Sequence, residues 1–186
     1  MSCSLANAAL TEVRRRVTVQ VRGRRGRKGN REWELRNRLT RSAARMSGDL
    51  VAELEGELKG LPKKIGVPIL AAWNAKEDLL DLLATVRTHP NREDVADLLY
   101  RFYRRCAESG LPELERLATT VQTWWPEILA FIRTGITNAG SEGTNRVIKT
   151  VARDAYGFRN PVNQRLRTRC ATTRRARGHL DPRKLR

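Results

Sequence analysis

Five residues near the C-terminal end have the types and spacing to work on a polyanion: Glu142, Asn145, Arg146, Lys149 and Arg153. At 100° per residue they fall within one narrow stripe of a helix. Val147, Ile148, Val151 and Ala155 fall opposite. Such a helix packs by its apolar side and displays one acid among amide and basic groups. Gly135 and Gly140 signal a loop before it, and Ser141 is suited to cap a helix beginning at Glu142. Guanidinium groups bind phosphate oxygens in pairs and stack on planar rings, so the basic part of the stripe suits nucleic acid. By periodicity alone, the acid reads more simply as a surface carboxylate salt-bridged to its neighbours.

A second candidate lies near the N-terminus. From Arg22 to Gly29, three glycines are interspersed among five positive charges. Arg24, Arg25, Arg27 and Lys28 are therefore expected on a flexible loop that follows a phosphate backbone, the alternative being a solvated linker. The whole chain of 186 residues carries 37 Lys and Arg against 20 acids, a formal net charge of +17. That charge is uneven. Residues 13–45 hold 13 basic groups and 2 acids, residues 46–142 hold 11 and 15, and residues 143–186 hold 13 and 2. Two basic arms flank a mildly acidic middle, which makes nucleic acid the expected partner.

The elements that must position these groups read as helical. Ile69, Leu70, Trp73, Leu80, Leu83 and Ala84 mark one helix face, and Thr88-His89-Pro90-Asn91 ends it. Asn91, with Asp94 three residues on, reads as the cap of the next helix, striped by Val95, Leu98, Leu99, Phe102 and Cys106. Ser109-Gly110 closes that helix, and Pro112 opens a third with Leu114, Leu117, Ala118, Val121 and Trp124 on its face. Pro126 must kink or restart it, because proline removes a backbone donor. Trp33, Leu35 and Leu39 fit a helix packed on the core. Only Val17-Thr18-Val19-Gln20-Val21 permits a strand, and ambiguously.

Cys3, Cys106 and Cys170 form no CxxC pair, and with His89 and His179 they offer no zinc-ligand spacing. Cys106 is expected as a buried thiol. No apolar run is long enough to span a membrane and no signal peptide is apparent, so a cytoplasmic, nucleoid-associated protein is expected.

The order of residues resembles the C-terminal part of bacterial insertion-sequence transposases of the ISL-three family, which are of the DDE type. The motif is Thr137-Asn138, Glu142-Gly143, Asn145, Ile148-Lys149 and Arg153, then Tyr156-Gly157-Phe158-Arg159-Asn160. Upstream matches are Leu5-Ala6-Asn7, Val13-Arg14-Arg15-Arg16-Val17, Gly26-Arg27-Lys28-Gly29, Leu39-Thr40-Arg41, Ala72-Trp73, Lys76-Glu77, and Trp124 to Glu127-Ile128. The resemblance implies a ribonuclease H-like domain in which two aspartates and one glutamate hold two Mg²⁺ or Mn²⁺ ions for DNA strand cleavage and transfer. Glu142 matches the glutamate, both as catalytic group and as metal ligand. Lys149 matches a basic position that approaches the DNA end, and Asn145, Arg146, Arg153 and Arg159 would join it in contacting DNA.

No residue of this chain matches either aspartate. The expected fold is accordingly mainly α: a truncated domain that keeps a helical insertion and the catalytic helix without most of the sheet. The expected organisation is a basic segment at 1–45, the insertion at 46–134, the catalytic-glutamate helix and its successor at 135–173, and a disordered basic tail at 174–186. The expected role is a transposase fragment in DNA transposition, inactive by itself and not holding the metal tightly. The alternatives are a non-enzymatic DNA- or RNA-binding protein or an inhibitor docked on a full-length transposase, with homodimerisation through the uncovered side of the Glu142 helix as a further expectation.

Overall fold

The computed structural model describes residues 2–88, 90–136 and 139–177, with backbone only at 2, 3, 87, 139–144 and 172–177. All regular structure among them is helical, as the periodicity predicts. The chain divides into two compact units, residues 1–135 and 136–186.

The first unit is built around two long helices, α1 (Ser2–Arg22) and α5 (Lys63–Ala84). Ala6, Leu10, Val13 and Val17 recur at three- and four-residue steps along α1 and are all buried. This spacing settles the ambiguous Val17–Val21 segment as helix. As a helix it buries Val17 and Thr18 and leaves Val19 and Val21 at the surface. A strand would have put Val17, Val19 and Val21 on one face with nothing beside them to pair with. On α5, Ile65, Ile69, Ala72, Trp73, Leu79 and Leu82 face the core, each large aliphatic side chain contributing roughly 1.5–3 kcal/mol by leaving water.

Between these helices run α2 (Arg31–Glu34), α3 (Arg36–Leu39), a 3-10 turn (Ala43–Arg45) and α4 (Gly48–Gly60). The single helix expected around Trp33 is thus two short ones that meet at Leu35; Leu35 and Leu39 are buried as expected. α4 starts at Ser47, whose hydroxyl accepts from the Leu50 amide. It then passes close to α5. A Cβ on Gly66 would sit 2.1 Å from the Leu58 carbonyl oxygen, so only glycine allows this approach.

Lys76 and Glu77 fasten the α3 end to α5. The Lys76 side chain is 1% exposed, and its Nζ donates to the carbonyls of Leu39 at 2.9 Å and Arg41 at 2.6 Å. Glu77 pairs with Lys76 at 2.5 Å and accepts from the Ala43 amide at 3.0 Å. Both Leu39-Thr40-Arg41 and Lys76-Glu77 belong to the sequence resemblance, and here they form one buried staple.

Beyond α5 and a 3-10 turn (Thr85–Arg87) come α6 (Arg92–Ser109), α7 (Pro112–Thr123) and α8 (Trp125–Thr134). The predicted caps form. Asn91 Oδ1 accepts from the Asp94 amide at 2.7 Å, Gly110 ends α6 in the left-handed region, and Pro112 opens α7. Pro126 restarts the chain in α8 rather than bending α7. Trp124, expected on the α7 face, sits at that break and is 56% exposed. Arg16 of α1 forks onto Glu113 of α7 at 2.5 and 2.9 Å, and Arg116 reaches Glu12 at 2.7 Å, so α1 and α7 are joined by charge as well as by contact. Cys106 is buried as expected, and burial pushes its thiol up to about 12.

The second unit contains α9 (Ala139–Asp154) and α10 (Pro161–Arg177), packed on each other. α9 begins three residues before the expected start, which places Ser141 inside the helix instead of at its cap. α10 runs to Arg177, into the stretch expected as a basic tail; residues 178–186 lie outside the described residues.

Candidate nucleic-acid interface

The basic loop is expected to be flexible because of its glycines, yet its backbone is pinned. Gly23 leaves α1 at φ +67°, its amide still donating to the Val19 carbonyl at 2.8 Å. Gly26 then crosses so near the neighbouring elements that a Cβ there would lie 3.2 Å from Trp33 Cβ and 3.4 Å from Thr18 Cγ2. Asn30 is buried; its Oδ1 accepts from the Arg27 amide and its carbonyl from the amides of Trp33 and Glu34. The Gly29 amide donates to Glu34 Oε1 at 3.0 Å. Arg22 forks onto the fully buried Glu32 at 2.6 and 3.1 Å, closing the base of the loop. These bonds satisfy the turns from inside, which is how the chain holds so charged a segment in one shape.

What the frame presents is charge. Arg24, Arg25, Arg27 and Lys28 are all exposed, and among the described residues none forms an ion pair. Several other arginines nearby are engaged. Arg16 holds Glu113, Arg22 holds Glu32, Arg31 holds Glu34 and Glu57, and Arg38 holds Glu53 and Glu57. On α6, Arg101 and Arg105 close on Asp78. Folding thus separates arginines spent on the protein's own carboxylates from a set left to solvent. An outside polyanion meets only the second set.

In the second unit the stripe forms as the helical wheel places it. Asn145, Arg146, Lys149 and Arg153 are exposed, while Val147, Ile148, Val151 and Ala155 are half-buried. Glu142 lies in α9, but its side chain is outside the described residues. The Tyr156–Asn160 motif is the turn joining α9 to α10. Tyr156 and Gly157 both take positive φ, +52° and +91°, and Asn160 Oδ1 caps α10 by accepting from the Val162 amide at 2.8 Å. Arg159 projects from this turn and is exposed.

A divalent metal needs several oxygen ligands converging on one point. Among the described residues no three His, Cys, Asp or Glu side chains gather in this way. Asp49, Asp78, Asp81, Asp94 and Asp97 are spread over three helices, and Asp78 is consumed by two arginines. The described residues therefore do not make a two-metal site, and no chemical step follows from them. The run Arg14-Arg15-Arg16 does not by itself distinguish its members; in the fold Arg16 pairs with Glu113, whereas Arg14, Arg15 and Arg36 form no ion pair among the described residues.

The described residues thus form a helical, strongly basic polypeptide with an exposed cationic loop and an exposed cationic helix stripe. The family model of DDE transposases of the ISL-three type, described as transposase, matches residues 3–168. The chain belongs to this transposase family. Neither a curated protein nor a solved structure matches it significantly. Transposases of the DDE class act on DNA and use divalent metal ions. No helix among the described residues is long and apolar enough to cross a membrane.

Proposed function

We propose that this chain serves DNA transposition as a DNA-binding part of an ISL-three transposase and does not cut DNA by itself. The observation that carries the reading is the set of four unpaired cations, Arg24, Arg25, Arg27 and Lys28, on a loop fixed by buried polar bonds. In this reading they grip backbone phosphates. Asn145, Arg146, Lys149, Arg153 and Arg159 follow the strand near the reacting end, and Glu142 is the family's catalytic glutamate and metal ligand. Residues 46–134 are the family's helical insertion, and residues 135–173 belong to its ribonuclease H-like catalytic domain. Only one of the three expected carboxylates has a match in these 186 residues, and a single carboxylate binds Mg²⁺ or Mn²⁺ weakly. The location that follows is the bacterial nucleoid.

The test is nicking and strand transfer of labelled element-end DNA with Mg²⁺ or Mn²⁺, comparing wild type with Glu142→Ala. The expected result is salt-sensitive DNA binding, equal in both proteins, without cleavage. Cleavage that disappears in Glu142→Ala would overturn the inactive reading, and absence of DNA binding would overturn the whole.

A further inference from the structure

Arg14 is the least explained charge in the first unit. It lies on the packed side of α1 and is 7% exposed. No carboxylate among the described residues bonds its guanidinium. One turn along, the Thr18 hydroxyl donates to the Arg14 carbonyl, and the basic loop crosses Thr18 at Gly26. The groups that act on Arg14 most strongly after burial are two further arginines, Arg15 and Arg36. Glu32 is also near, but both its oxygens are already occupied by Arg22. Arg36 has its guanidinium 3.5 Å above the Trp33 ring and donates to the Trp33 carbonyl, so it is held in place without a counter-charge. Burial and these like charges together lower the affinity of Arg14 for its proton.

Burying a cation without a partner is costly, and crowding it with two more raises the cost. Proteins avoid such an arrangement unless an anion completes it. Arg14 keeps 7% of its surface exposed, so it is not wholly sealed from solvent. A buried, unpaired guanidinium with the charges of Arg15 and Arg36 near it offers paired donors of the kind that bind a phosphate oxyanion.

We infer that Arg14, Arg15 and Arg36 form a discrete phosphate-binding site beside the basic loop, with Arg14 as its rigid inner contact. The site rests on the DNA-binding reading in one respect: the phosphate is a backbone phosphodiester, the other source being free phosphate. Arg14 fixes one phosphate at the junction of α1, the loop and Trp33, and thereby sets the register of the strand that the four loop cations then follow.

The experiment uses the full chain and two probes. With inorganic phosphate at constant ionic strength, the wild-type melting temperature should rise, and Arg14→Met should lose most of that rise. The same variant should melt no lower than wild type without phosphate, since it removes an uncompensated charge. With duplex DNA, Arg14→Met should reduce the log–log salt slope by about 0.9, the value of one phosphate contact. The Arg24, Arg25, Arg27 and Lys28→Ala protein should keep its phosphate response, which separates this site from the loop. A phosphate response equal in wild type and Arg14→Met overturns the site. A lost phosphate response with an unchanged DNA slope overturns the backbone assignment and leaves a free-phosphate site. If Arg14→Met does not fold, Arg14→Lys decides, because it keeps the charge and loses the fork: a reduced phosphate response supports the site, an unaltered one refutes it.

Discussion

Replacing Arg24, Arg25, Arg27 and Lys28 together by alanine removes four exposed cations from a loop whose backbone is held by other residues. The bonds of that frame belong to Arg22, Glu32, Asn30 and Glu34 and to backbone amides. The four side chains contribute none of them, so stability should change by no more than about 0.5 kcal/mol. DNA binding should change greatly. Each neutralised phosphate adds about 0.9 to the dependence of log affinity on log salt, so four contacts account for a slope of about 3.6. Raising salt fourfold, from about 50 to about 200 mM, then costs the wild type about 150-fold more affinity than the variant. Fluorescence anisotropy of a labelled duplex across that range measures the difference directly. A slope change below about 1, in a variant with an unaltered melting curve, would refute the loop as the backbone grip. A large change accompanied by unfolding would show instead that the frame depends on those side chains.

Three further expectations concern the fold. Lys76→Met leaves the carbonyls of Leu39 and Arg41 without their donor and Glu77 without its cation; urea unfolding should show a loss of about 3 kcal/mol. Cys106, buried with its thiol raised to about 12, should resist alkylation at pH 8 until the protein unfolds, while the exposed Cys170 reacts; peptide mapping after iodoacetamide distinguishes the two. The hydrogen bonds from Arg16 hold the Glu113 carboxyl below the ordinary glutamate range. A depressed folded-state value stabilises above the unfolded value and is lost as pH falls through the folded one. Melting temperature should therefore fall as pH drops below about 4.5, and Arg16→Met should flatten this part of the profile; an unaltered profile would show that the Arg16–Glu113 pair is not its source.

The chain by itself determined what depends on near neighbours. Asn91 and Asp94, Ser109-Gly110, Pro112 and Pro126 set helix ends through bonds or missing bonds within a few residues, and each end lies where those residues place it. The stripe of α9 followed from helical spacing alone, and membership of the transposase family followed from the order of the motif residues. Remote packing decided the rest. Val17–Val21 alternates like a strand, but Ala6, Leu10 and Val13 commit it to a helix laid on α5. Ser141 resembles a cap, yet α9 starts before it, so an apt residue type did not fix that end.

Above all, the sequence displays a basic arm without showing which of its charges are free. Arg16 is neutralised by Glu113, 97 positions away, and Arg38 by Glu53 and Glu57 from α4. Arg14, two residues before Arg16, is buried and forms no ion pair among the described residues, the nearby Glu32 being held by Arg22. Charge sign is a property of the residue, whereas charge balance is a property of what folding brings beside it, and only the tertiary structure assigns the second.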